Sequence, residues 1–327
     1  MLYSILRSPA AAPQQLHIPD GFLSAPVAIL AWLVTIAFMV VAVRRASREF
    51  DERLVPLMGV LAAFIFAAQA FNFPVAGGTS GHFLGGALAA ILLGPWPALL
   101  VMAAVIGLQG LIFQDGGLLA MGANIFVMGI VTVWTGYFAY QALQRINRHV
   151  AGFAAGWLSV VLAAVVTAFM LALSGTASLG VVLTAMAGVH MLIGVGEGLI
   201  TAAALALVRA ALPGMFGEQV TGRRSDATTI LAGGVMLALV VGIVAVFFAS
   251  PHPDGLERVA EDTGFLSSAQ AAPFQIAPDY VLPGLTNQTL AAVIAIALGT
   301  LLLCAVGYGI ARALRRRSQR LAEAHEQ

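Results

Sequence analysis

The sequence contains no lysine; every one of its 16 basic residues is an arginine. A phosphate-binding P-loop needs a lysine on the β- and γ-phosphates, so ATP hydrolysis by that route is excluded. There is a single cysteine, Cys304, set in an apolar run. One thiol excludes an intrachain disulfide and any cysteine-rich metal site. Charge of both signs is scarce: 9% of the 327 residues are charged and 60% are hydrophobic, with a mean hydropathy of +0.94. A soluble domain carries roughly 25% charged residues. So few charges cannot cover a water-facing surface, and the chain reads as an integral membrane protein. The net charge of +1 gives no sign of a nucleic-acid partner.

Apolar stretches long enough to cross a bilayer cover Ser24–Val43, Leu54–Phe71, Leu118–Leu143, Gly152–Leu173, Leu179–Ala211, Thr229–Ala249 and Thr289–Leu314. A longer run, Phe83–Phe113, is interrupted by "LLGPWPALL". Proline removes a backbone donor and clashes with the preceding turn, so this run is expected to split at Gly94–Pro97 into two helices, the first too short to cross a full bilayer. Cytoplasmic loops collect arginine. With the split and an outside N-terminus, Arg44, Arg45, Arg48, Arg53, Arg145, Arg148, Arg209, Arg223, Arg224 and the cluster Arg312–Arg320 all fall inside, leaving only Arg7 and Arg258 outside. Without the split, Arg145 and Arg148 move to the wrong side. The expected fold is an all-α polytopic membrane protein of nine helices, N-terminus out and C-terminus in: a seven-helix bundle plus two further transmembrane helices. Residues 1–15 form an N-terminal extension without the apolar core of a signal peptide. Residues 16–212 form the bundle, 213–228 a polar cytoplasmic linker, and 229–327 a second unit with two helices around an outside loop, Ser250–Gln288.

Ionisable residues inside a membrane usually face an interior or a cavity. His17 sits in "LHIPDGFLS", and His82 ends the uncharged, glycine-rich "NFPVAGGTSGH"; both fall on the outer side. Each is open to two readings, a ligand or an interfacial histidine with a satisfied hydrogen bond. His190 and Glu197 in "GVHMLIGVGEG" are seven residues apart and share one helix face. They make either an inner polar track or a structural pair. Asn124 reads as a helix-packing amide and Asp115 as a turn residue. In the outside loop, Asp254, Glu257 and Glu261 form an accessory acidic set, the two glutamates together on one face if the segment is helical; the alternative is a solvated surface. Small-residue faces such as that of Ala63 and Ala67 offer a docking surface for a partner helix.

His17 has a further chemical option. If Leu16 carried a free α-amino group, that amine, the His17 amide and the His17 Nδ1 would form fused chelate rings, and His82 could complete a square of four nitrogens. Such a set suits Ni(II) or Cu(II), with low-spin Co(II) also conceivable. It requires Leu16 to be the true first residue, through a misassigned start or trimming.

The stretches "LHIPDGFLS", "FNFPVAGGTSGHFLGGALAAILLGPWPA", "FQDGGLLAMGANIFVMG" and "HMLIGVGEGLIT" resemble the CbiM/NikM family, the substrate-binding S components of energy-coupling-factor (ECF) transporters for cobalt and nickel. The resemblance covers roughly Leu16 to Ala211. The tail "PHPDGLERVAEDTGF" with "APDYVLPGL" is similar to the small PDGLE, or NikN/CbiN-type, component, and its fusion to the S component is similar to that of NikMN or CbiMN proteins. Family chains begin Met-His-Ile, which places Leu16 where a starting methionine stands. The resemblance implies metal ligation by the Leu16 amine, the His17 amide and imidazole, and His82; a requirement for the PDGLE-type part in loading; and, as partners, a T component (CbiQ/NikQ-like) and ATPase subunits (CbiO/NikO-like) on separate chains in a bacterial inner membrane. The transported ion is Ni²⁺ or Co²⁺, with nickel modestly favoured by the affinity order, and no prosthetic group is expected. Two other classes stay open: a stand-alone divalent cation channel, and an intramembrane metalloenzyme built on His190 and Glu197.

Overall fold

The structure is a computed structural model that describes residues 17–48, 50–212 and 227–326. Leu16 and most of the linker read from the sequence lie outside the described residues. Within them, seven helices are long and apolar enough to cross a membrane. They are α1 (Ala25–Ala46), the span beginning with α4 (Pro95–Leu108), the span from α5 (Met121–Asn124) to α6 (Thr132–Leu143), α7 (Arg148–Leu173), α8 (Leu179–Ala211), α9 (Ala227–Phe248) and α11 (Gln288–Glu326). Two shorter apolar helices, α2 (Leu54–Gln69) and α3 (Gly86–Leu93), complete the expected set, and a short α10 (Gly255–Thr263) lies in the loop before α11. The all-α polytopic reading therefore holds.

The expected break falls where proline chemistry puts it. Helix α3 stops at Gly94, whose φ of 78° a side chain would resist, and Pro95 opens the first turn of α4, where no amide is needed. Helix α4 then widens into a π-helical turn, Gln109–Phe113, which Gln114 ends at φ 54°. A second π-helical stretch, Ile125–Val131, joins α5 to α6. The glycine-rich loop is not irregular chain but a hairpin of β1 (Asn72–Val75) and β2 (Thr79–His82), paired antiparallel with Asn72 opposite His82. Gly77 and Gly78 turn it at φ 80° and 71°, a region open to glycine at little cost.

Nearly every residue of α2 is buried, because α9 and α11 cover it. Gly59 and Gly307 bring α2 and α11 into backbone contact: a Cβ on Gly307 would lie 2.7 Å from the Met58 carbonyl oxygen, and one on Gly59 2.9 Å from that of Cys304. Small residues allow such close crossings in a membrane, where packing rather than water drives association. Ala63 and Ala67 are fully buried against Ala238 of α9. This corrects the expectation that they form an open docking face: the covering helix belongs to the same chain.

The loop between α9 and α11 folds over the end of the bundle that carries the hairpin and is joined to it through main-chain hydrogen bonds. Ser250 N–H donates to the Asn72 carbonyl (2.7 Å), Ser80 N–H to Pro253 (2.8 Å), Gln270 N–H to Asp20 (2.8 Å) and Ala277 N–H to Ile112 (3.0 Å). Each seam reaches a segment that carries or supports a candidate site residue.

Candidate metal centre

The segment beginning at His17 is fixed by its own backbone. Asn124 closes a two-way bond with Ile18, its Oδ1 accepting the amide (2.9 Å) and its Nδ2 donating to the carbonyl (3.0 Å). Gly117 N–H donates to the same carbonyl at 2.9 Å. Asp20 accepts from the amides of Leu118 and Ala120, both at 2.9 Å. These bonds hold the imidazole of His17, 2% exposed, against the turn at Gln114–Gly117, where Nδ1 lies 3.0 Å from the Asp115 carbonyl oxygen. A carbonyl only accepts, so Nδ1 carries the proton and Nε2 carries the lone pair. Nε2 is buried with no hydrogen-bond partner among the described residues. Chelation through Nδ1, as the sequence suggests, therefore requires the ring to leave the Asp115 carbonyl; ligation through Nε2 does not. Asp115 is in turn held by Tyr280, whose hydroxyl donates to Oδ2 at 2.5 Å while accepting from Gln109 Nε2 at 3.0 Å.

Gly117 has no room for a side chain, since a methyl group there would collide with the amide and Oδ1 of Asp20. Gly117→Ala is expected to cost about 1–3 kcal/mol through overpacking and to loosen His17. A lower melting temperature in detergent together with weaker metal retention is the predicted result; a variant identical to wild type in both would remove the clamp from the explanation.

His82, 9% exposed, closes the hairpin. The residues after it are gripped from two helices. Glu197 of α8, fully buried, accepts from the amides of Leu84 (2.7 Å) and Gly85 (2.9 Å), and Gln69 at the end of α2 donates to the Leu84 carbonyl (2.8 Å). Glu197 thus anchors the loop, which accounts for a buried carboxyl group on α8. His82 Nε2, like that of His17, is buried and unpartnered among the described residues. The two rings stand 6.0 Å apart, edge to face.

Both rings line a cavity of about 60 Å³, whose wall also contains Asn124, Met128, His190 and Asp254. That volume exceeds the roughly 10–15 Å³ one water needs, so an ion with part of its hydration fits. His190 shares the arrangement of His17: its Nδ1 lies 2.8 Å from the Met186 carbonyl, which leaves Nε2 as the lone-pair nitrogen. His190 and Glu197 do share a helix face, but only His190 reaches the cavity wall, so they do not form one track within it. Among the described residues, no three His, Cys, Asp or Glu side chains converge closely enough to hold an ion alone.

Burial pushes the His82 imidazole down to about 3, with the charges of His17 and His190 acting in the same direction. Burial also pushes Asp254 well above the usual carboxylate range. Both shifts disfavour the charged forms across their 3.7 Å approach, and a divalent cation nearby would favour the charged carboxylate. A larger cleft of about 680 Å³ meets His17 from the other side, lined by Pro19, Phe22, Glu257 and Glu261. The two glutamates do lie on a helix, α10. Sequence reasoning misses Asp20 and Tyr280 as supports of His17, and Gln69 as a support of the loop behind His82. The only local signal is the Pro-Asp-Gly turn at Asp20.

The family profile described as the cobalt uptake substrate-specific transmembrane region, CbiM, matches residues 17–215, and the PDGLE domain profile matches residues 228–316. A chain of Archaeoglobus fulgidus, provisionally named a fused nickel transport protein, NikMN, is 36% identical over 307 residues, 92% of this chain and 99% of that one. The cobalt transport protein CbiM of Sorangium cellulosum is 36% identical over 211 residues, 61% of this chain and 93% of that one. A crystal structure of a truncated transition metal transporter is 30% identical, with a TM-score of 0.55, covering 60% of this chain and 99% of that one. With its own cavity of buried histidines and these relatives along most of its length, the chain belongs to the CbiM family of transition-metal transport proteins and carries a PDGLE domain in its C-terminal part.

Proposed function

We propose that this chain is the substrate-binding component of an ECF-type transporter that takes up Ni²⁺ or Co²⁺, with His17 and His82 as ligands and the Leu16 amine as a third donor. The observation that carries the reading is the pair of buried imidazoles whose Nε2 atoms have no partner among the described residues and line one small cavity. A buried lone pair without a donor is costly, and a cation that accepts it removes the cost. The two side chains leave most of a coordination sphere to other donors; the Leu16 amine and the His17 amide would join them if the His17 ring turned its Nδ1 from the Asp115 carbonyl to the ion. The arginine distribution supports an outside N-terminus and a cavity on the outer side. The acidic cleft beside His17 gives an approach for a hydrated cation. A separate T component and ATPases supply the energy, since this chain has no P-loop lysine. Nickel is favoured over cobalt by the affinity order.

Elemental analysis of the purified full chain, after growth with each metal, tests the reading. Close to one nickel or cobalt per chain is expected, and a protein that holds neither refutes it. Intact mass decides the Leu16 donor: a mature chain that keeps residues 1–15 rules out ligation by that amine. Uptake by cells lacking the T component and ATPases would favour a channel instead.

A further inference from the structure

We propose that Asp254, supplied by the C-terminal loop, belongs to the ion site itself, its carboxylate standing beside His82 as the anionic counterpart of the bound divalent cation. This rests on the functional reading above and deepens it.

The placement of Asp254 is built from several directions. Ser80, two residues before His82, holds the preceding residues of the loop: its amide donates to the Pro253 carbonyl at 2.8 Å and its hydroxyl to the His252 carbonyl at 2.8 Å. Asp254 then caps α10, one oxygen accepting the Glu257 amide at 2.7 Å. Its other oxygen is turned to His82, 3.7 Å from Nδ1. The residue is 3% exposed, so the carboxyl group faces the cavity and not water. The next residue, Gly255, packs closely on α8: a Cβ there would lie 2.6 Å from Ile193 Cδ1 and 2.8 Å from His190 Cε1, and those side chains would have to shift.

The charge balance makes this carboxylate significant. Imidazoles and an amine are neutral donors, and one deprotonated backbone amide would remove only a single positive charge. The ion would remain positive in a buried cavity, which is costly without a compensating charge. Among the described residues that line the cavity, Asp254 is the one acidic side chain. Asp115 stands behind His17 instead and is engaged by Tyr280. The C-terminal unit thus contributes a charge to the site as well as a cover.

The test is Asp254→Asn in the full chain, with NiCl₂ and CoCl₂ titrated in competition with a chromophoric chelator. Asparagine keeps the shape and caps a helix about as well as aspartate, so the melting temperature measured with excess chelator should match wild type. Affinity should fall about 10–100-fold, the range for losing a supporting partner of a metal ligand. Asp254→Ser, a second neutral capping residue, should lose affinity to a similar extent. Wild-type affinity in either variant overturns the proposal, as does a melting temperature that falls in step with affinity, because capping alone would then explain the loss. A wild-type chain that binds neither ion refutes the functional reading and this proposal with it; binding by wild type with unchanged binding by Asp254→Asn refutes this proposal alone.

Discussion

His82→Ala is expected to leave the purified protein unable to retain nickel or cobalt and to stop uptake, while the chain still inserts and purifies as wild type does. Loss of a residue that merely supports a metal ligand costs about 10–100-fold in affinity, so deleting a ligand should cost at least about 100-fold. The fold should tolerate the change because the hairpin does not depend on the imidazole. It is held by Ser80 on one side and by Glu197 and Gln69 on the other. His17→Ala should behave alike, since Asn124 and Asp20 fix that segment through main-chain groups. The measurement is chelator competition beside size-exclusion behaviour in detergent. If both alanine variants transported at the wild-type rate, the two imidazoles would be structural and the cavity would need another explanation.

Glu197→Ala carries the largest expected cost in stability. It strands the buried amides of Leu84 and Gly85. Each unsatisfied buried group costs about 1–3 kcal/mol, and the cavity left behind adds to that. Several kcal/mol in total is a large part of what holds a typical domain together. Because the freed amides lie two and three residues after His82, metal retention should fall too. Glu197→Gln should lie between, since its carbonyl oxygen serves one amide while its NH₂ group faces the other as a second donor. Thermal unfolding in detergent, read with and without metal, separates the three proteins. An alanine variant as stable as wild type would mean that the two amides find another partner. An intramembrane metalloenzyme, by contrast, would lose an activity in Glu197→Gln with stability intact.

Features that repeat along the chain are legible in the residues themselves. The spans, the break at Gly94–Pro95 and the burial of a short α3 follow from apolar length and proline chemistry. His17 and His82 stand out because ionisable groups are rare in so apolar a chain. Their supports do not, because each is a contact between distant residues that leaves no periodic trace. Asp115 and Asn124 read as a turn residue and a packing amide, yet both meet the His17 segment some hundred positions away. Asp254 reads as part of a solvated acidic loop, because nothing near it in sequence reveals that Ser80 draws it inward. Ala63 and Ala67 are recognisable as a packing face, but a sequence does not say which helix covers it, and α9 does. The hairpin escapes notice because strands of four residues each are too short for alternation strong enough to show.

Several seams between the loop before α11 and the bundle run through peptide groups, from Ser80, Gln270 and Ala277 among others. Peptide groups are common to every sequence, so most side chains in that loop are free to drift without unpicking the join. The residue that cannot be tolerated at those donor positions is proline, which has no hydrogen to give. Divergent tails can therefore serve the same bundle, provided that their backbones keep step with it.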